Sequence, residues 1–183
     1  MKIKAVLSMI VAITSCIIHA QTNRFNFIKP NLINKQAPQF TAQAVFPDGT
    51  IGHFSLENYQ GTNVVLYFYP MDNTPGCTIQ AKKFRDGIEK LKKAGITVIG
   101  ISCDSIKSHI NFQKKHALPF ALVSDSRLTR SISKAYGAAG FLYSQRKTFL
   151  INKDGIVFRQ FNKVDIQNQI DDILHSFAEQ KNN

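Results

Sequence analysis

The 183-residue sequence predicts an α/β domain of three layers built on a mixed sheet. Three observations carry the expectation. Apolar, β-branched runs alternate with amphipathic stretches of helical period. Two of these runs, residues 63–70 and 95–102, are apolar almost throughout, as strands buried on both faces are. The outer strand signals come in pairs around "PDGT" and "KDG", turn sequences that join antiparallel neighbours.

Taken in chain order, residues 37–56 form the first hairpin and residues 63–70 a buried strand that Pro70 ends. A helix follows over residues 76–94, with Ala81, Phe84, Ile88 and Leu91 on one face and charges elsewhere. Residues 95–102 are the next buried strand, 105–118 a helix, 120–125 a strand, and 126–137 a short helix with Gly137 just past its end. Residues 147–161 form a closing hairpin. Residues 164–180 predict a C-terminal amphipathic helix with Ile166, Ile170, Ile173, Leu174 and Phe177 inward. In such a sheet the site belongs beyond the carboxyl ends of the central strands, near Tyr69-Pro70 and Ser102-Cys103-Asp104.

Residues 1–20 stand apart. Lys2 and Lys4 precede an uncharged run over residues 5–18, too short to span a bilayer and suited to an export signal cut after Ala20. "ITSC" resembles a lipobox, which would instead lipidate Cys16, but Ile17 and Ile18 continue the apolar run beyond it. Cleavage after Ala20 is the preferred reading. Both place the protein outside the cytoplasm, in the periplasm or cell envelope, and both take Cys16 out of redox chemistry. Residues 21–36 read as a polar linker and 37–183 as the folded domain.

Hydrophobic residues make up 44% of the chain, enough for a core without disulfide staples. The formal charge of +11 is spread over many segments, and no basic run is interleaved with stacking aromatics, so a nucleic-acid groove is not expected. Apart from Cys16 the cysteines are Cys77 and Cys103, too few for a disulfide scaffold.

The chemistry concentrates in "YPMDNTPGCTIQAKKF". Thr74 reads as an N-cap and Pro75 as the first helical residue, which sets Cys77 in the first turn. Unpaired backbone N–H groups and the positive end of the helix dipole favour a thiolate there, the nucleophilic form of cysteine. A C-x-x-C dithiol is excluded because Gln80 occupies the second position. His53, His109, His116 and His175 are scattered, so no metal site is expected. No local sequence of a cysteine protease surrounds Cys77.

"YFYPMDNTPGCTIQAKKFRD" resembles the active-site segment of the peroxiredoxins, most closely the bacterioferritin comigratory protein or peroxiredoxin Q group. The pattern P-x-x-x-T-x-x-C is intact as Pro70, Thr74 and Cys77. "GISCDSIKSHINFQKKHALPFALVSD" and "RKTFLINKDGIV" extend the resemblance, and the second carries Arg146 at the place of the family's active-site arginine. The resemblance implies a thioredoxin-like fold and a thiol-dependent peroxidase acting on hydrogen peroxide and organic hydroperoxides, with no cofactor. Cys77 would attack the peroxide and become a sulfenic acid. Arg146 would hold the charge that moves from sulfur to the leaving oxygen. The Thr74 hydroxyl would align the attack, and Pro70 would shield the sulfur.

The resemblance also exposes a gap. Members of the group often carry a resolving cysteine five residues on, where this chain has Lys82, and Gln80 replaces a common glutamate. Cys103 is the remaining candidate resolving thiol. The favoured expectation is a one-cysteine cycle in a monomer, completed by an external thiol: a thioredoxin-like or glutaredoxin-like protein, or a small thiol. The alternatives are a thioredoxin-type disulfide oxidoreductase and a degenerate thioredoxin-fold module that binds an envelope partner.

Overall fold

A computed structural model describes residues 30–181. The expected signal segment, Cys16 with its lipobox, and residues 21–29 of the expected linker lie outside them. Residues 30–36, also expected in the linker, belong to the fold. β1 (Lys35–Gln36) pairs antiparallel with β8 (Ile156–Phe161), and Leu32 is buried. Two residues suffice for a strand here because β8 offers them a ready edge.

The first hairpin is β2 (Thr41–Val45) and β3 (Ile51–Ser55), followed by a 3₁₀ turn over Leu56–Tyr59. Next come β4 (Asn63–Phe68), α1 (Pro75–Lys93), β5 (Ile96–Ser102), α2 (Ile106–His116) and β6 (Ala121–Ser124). The chain closes with α3 (Ser131–Ala135), β7 (Lys147–Ile151), β8 and α4 (Gln169–Lys181). One mixed sheet results, in the order β1-β8-β7-β4-β5-β6-β2-β3, with β4, β5 and β6 parallel.

Strand alternation divides the interior into two halves. Val65 and Tyr67 of β4, and Tyr69 just beyond it, face a core shared with α1, α2 and α4. Val64, Leu66 and Phe68 face the other side, with Leu32, Phe54, Ile132 of α3 and Tyr136 just past it. Each half excludes water from one face of the sheet, which is the main stabilisation of such layers.

Two glycines mark close approaches. A side-chain carbon at Gly100 of β5 would lie 2.7 Å from the Tyr67 hydroxyl, so glycine makes room for the Tyr67 ring. One at Gly87 of α1 would lie 2.9 Å from Ile170, so glycine lets α4 settle directly on α1.

Two expected helices are shorter than their patterns. α4 begins at Gln169, and Ile166 precedes it, half-buried. Asp165 explains the delay: its carboxylate accepts from the Gln167 N–H at 3.0 Å and from the Asn168 amide at 2.9 Å, a local turn that competes with helix. α3 spans only Ser131–Ala135, because the buried Asp125 carboxylate accepts from the N–H groups of Ile132 and Ser133 and so fixes where the helix starts.

Candidate active site

α1 opens at the carboxyl end of β4. Thr74 is extended, with φ −78° and ψ 150°, and Pro75 is the first helical residue. Asn73 supplies the preceding reversal with φ 58°, a left-handed conformation that asparagine tolerates better than most residues. Cys77 therefore enters the first turn of the helix with its side chain directed into the core, and it is only 2% exposed.

The Arg146 Nη2 donates to the Cys77 Sγ at 3.3 Å. Residue 146 lies immediately before β7, and β7 pairs antiparallel with β4, so the sheet itself brings this arginine to the start of α1. Gly76 lies beside the guanidinium, where a side-chain carbon would make only ordinary contact with Nη2 at 3.4 Å. The second guanidinium nitrogen, Nη1, donates to the Gln80 Oε1. Among the described residues no carboxylate pairs with Arg146, so its full charge faces the sulfur and the helix dipole adds to it.

Thr74 departs from the expectation of a capping side chain. Its hydroxyl makes no cap bond and donates instead to the Met71 carbonyl at 3.0 Å. With its hydrogen committed to that carbonyl, the hydroxyl faces a substrate as an acceptor. Pro70 lies just beyond β4, half-buried.

The candidate resolving thiol is elsewhere. Cys103 continues the alternation of Ile99 and Ile101, which face the α3 side of the sheet, whereas Cys77 packs in the opposite core. Its Sγ lies 3.5 Å from the Ser144 hydroxyl, which in turn lies 2.8 Å from that of Ser133. Burial pushes the Cys103 thiol above its ordinary range, against the lowering effect of the Ser144 bond. Both cysteines are free. A disulfide needs Cα atoms within about 7 Å and side chains that point together. The two thiols pack on opposite sides of the sheet, so their side chains do not point together.

A buried polar network holds the loop before Cys77, and it was not foreseen from the sequence. Asp72 accepts from the Tyr69 hydroxyl at 2.8 Å and the Ser108 hydroxyl at 2.7 Å, and lies 2.9 Å from the His109 Nδ1. Its own N–H donates to Asp104 at 2.9 Å, and Asp104 also accepts from the Ser102 hydroxyl at 2.7 Å. Burial, reinforced by the Asp72 charge, pushes the Tyr69 phenol well above its ordinary value and keeps it a donor. The network ties the ends of β4 and β5 and the start of α2 to one loop. Asp72 stands inside the motif, but nothing in the sequence marks His109 or Asp104 as its partners.

The arrangement presents a buried sulfur, a fixed cation on it and a hydroxyl free to accept at the same helix start. Comparison with known proteins agrees. The model of the AhpC/TSA family matches residues 33–160. A peroxiredoxin bcp of Coxiella burnetii is 38% identical over 150 residues, covering 78% of this chain and 95% of its own. A chloroplastic peroxiredoxin Q of Oryza sativa subsp. japonica is 45% identical over 129 residues, covering 69% of this chain. The chain spans 57% of the rice protein's length, and between 50% and 59% of that of the plant relatives from Triticum aestivum and Sedum lineare. The solved peroxiredoxin Q of Xanthomonas campestris superposes with a TM-score of 0.69 at 31% identity, covering 76% of this chain and 90% of that one. The chain belongs to the AhpC/TSA family, as a thiol-dependent peroxidase of the peroxiredoxin Q and bcp group.

Proposed function

We propose that Cys77 is the thiol that attacks peroxide and that Arg146 and Thr74 act on the reacting atoms. The observation that carries this is the 3.3 Å contact of the Arg146 guanidinium with the Cys77 sulfur at the first turn of α1. The thiolate attacks one peroxide oxygen in line with the O–O bond. That bond breaks, and the electron pair leaves with the far oxygen as hydroxide or alkoxide. Sulfur keeps the near oxygen as a sulfenic acid. Arg146 stabilises the charge before and during its transfer, since a guanidinium does not give up its proton. Thr74, its hydrogen held by Met71, accepts from the peroxide O–H and orients it.

Hydrogen peroxide and organic hydroperoxides are the proposed substrates. The return step falls to a thiol from outside. It displaces water from the sulfenic acid to form a mixed disulfide, and a second thiol then releases Cys77 and leaves with the first as a disulfide. A thioredoxin-like or glutaredoxin-like protein, or a small thiol, has the required chemistry. Stopped-flow oxidation tests the assignment: Cys77 reacts with peroxide far faster than a small free thiol does. Equal rates would remove it and favour a binding module.

The apolar run over residues 5–18, following Lys2 and Lys4, supports export to the periplasm or envelope. The plant relatives are named chloroplastic, which makes an organellar transit segment the second reading. The uncharged run favours export, because transit peptides are amphipathic and arginine-rich. The mature N-terminus, sequenced from the native host, decides between cleavage after Ala20, lipidation at Cys16 and neither. A monomer is proposed, to be checked by light scattering on the reduced and the oxidised protein.

A further inference from the structure

Arg146 is held by a pair of buried glutamine side chains whose order is fixed at both ends. Gln80 is 0% exposed and Gln169 4%. The Gln80 Oε1 accepts from Arg146, the Gln80 Nε2 donates to the Gln169 Oε1 at 3.1 Å, and the Gln169 Nε2 donates to the Gln80 main-chain carbonyl at 3.3 Å. A glutamine amide is two-ended, and its orientation follows from its partners. Here both outer partners are single-natured. A guanidinium only donates and a main-chain carbonyl only accepts. The carbonyl requires the Gln169 nitrogen, which leaves the Gln169 oxygen toward Gln80. Gln80 must then turn its nitrogen to Gln169 and its oxygen to Arg146. Reversing either amide would set donor against donor or acceptor against acceptor where water does not reach, and an unsatisfied buried group is costly.

From this arrangement we infer that Gln169 is a positioning residue for the peroxidase reaction, acting through Gln80 to aim the Arg146 guanidinium at Cys77. Gln169 opens α4, and α4 reaches α1 through the space that Gly87 leaves for Ile170, seven residues along α1 from Gln80 and on the same face. The last helix of the chain thereby governs a cation that enters from β7. Both amides are neutral, so they orient Arg146 without cancelling its charge on the sulfur. The inference rests on the proposed role of Cys77.

A double-mutant cycle on single-turnover oxidation of Cys77 tests it, with hydrogen peroxide as the probe. Gln169→Met keeps the volume and removes both bonds, and it slows oxidation about tenfold. Gln80→Met slows it to a similar degree. Because Gln169 acts through Gln80, adding Gln169→Met to Gln80→Met leaves the rate where Gln80→Met put it. A merely structural Gln169 would shift the melting temperature and slow both backgrounds by the same factor, or neither; either result overturns the inference. Wild-type oxidation alone tests Cys77, and the ratio of variant to wild type tests Gln169, so the two failures are distinguishable.

If the methionine variants do not fold, the wild-type protein still answers. Hydrogen exchange by NMR shows the side-chain amide protons of Gln80 and Gln169 protected relative to those of the exposed Gln43 and Gln167. Exchange as fast as at the exposed positions overturns the inference.

Discussion

Cys77 and Cys103 are both buried, at 2% and 4% exposure, and both lie beyond the carboxyl end of a parallel strand. Their surroundings differ in charge. Cys77 stands at a helix N-terminus with a guanidinium 3.3 Å away, while Cys103 faces the Ser144 and Ser133 hydroxyls on the α3 side of the sheet. The first sulfur faces a fixed cation and a helix N-terminus, whereas burial of the second pushes its thiol above the ordinary range. Burial therefore does not distinguish the two cysteines. The fixed charges and dipoles aimed at them do, and these are what the proposed role of Cys77 rests on.

The strongest way to break this contrast is to remove one sulfur at a time. Cys77→Ser is expected to abolish peroxide turnover while leaving the fold intact, read by peroxide consumption and circular dichroism. Turnover surviving through Cys103 would contradict the assignment.

Arg146→Met removes the cation and is expected to slow Cys77 oxidation by about a hundredfold or more, on the scale of losing one electrostatic stabiliser of a transition state. Arg146→Lys recovers only part of the rate, because one ammonium cannot serve the sulfur and Gln80 in the same planar fork. Alkylation of Cys103 is unchanged in both, which separates a local effect from a global one.

Thr74→Val is expected to slow oxidation about tenfold, the cost of an orienting hydrogen bond, and Thr74→Ser to recover most of it. Stopped-flow rates measure both.

The smallest effects belong to Cys103. Cys103→Ser leaves the oxidation rate unchanged and alters stability by about 1 kcal/mol, read by denaturant melts. The sign with pH follows from the raised Cys103 value. The folded state keeps the proton at alkaline pH where the unfolded chain has lost it. The contribution is full below the unfolded thiol range and declines as pH rises through the folded value. Wild type is thus expected to lose stability relative to Cys103→Ser only on the alkaline side.

How far each region was legible in the sequence follows the same divide. The start of α1 is local information. Thr74, Pro75 and Cys77 fix one another within a single turn, and the first-turn placement of the sulfur held. Only the hydroxyl bond of Thr74 went elsewhere, to the Met71 carbonyl. Arg146 was found through family resemblance, since no periodicity links residue 146 to residue 77; the pairing of β4 with β7 makes that link. The layer of Cys103 was within reach, because Ile99, Ile101 and Cys103 alternate to one face, yet which face carries α1 depends on how the helices pack. Gln169 and the partners of Asp72 lay beyond sequence reading. Their contacts span 89 and 37 residues, between side chains whose types carry no signal alone.

The central claim is that Cys77 reacts and finds no partner thiol among the described residues. Intact-mass analysis of the reduced protein after one equivalent of peroxide, with peptide mapping of the product, tests it most directly. The account predicts a gain of one oxygen, mapped to Cys77, in a species that an added thiol returns to its starting mass. A loss of two hydrogens mapped to a Cys77–Cys103 bond, or oxygen found on Cys103, would contradict it.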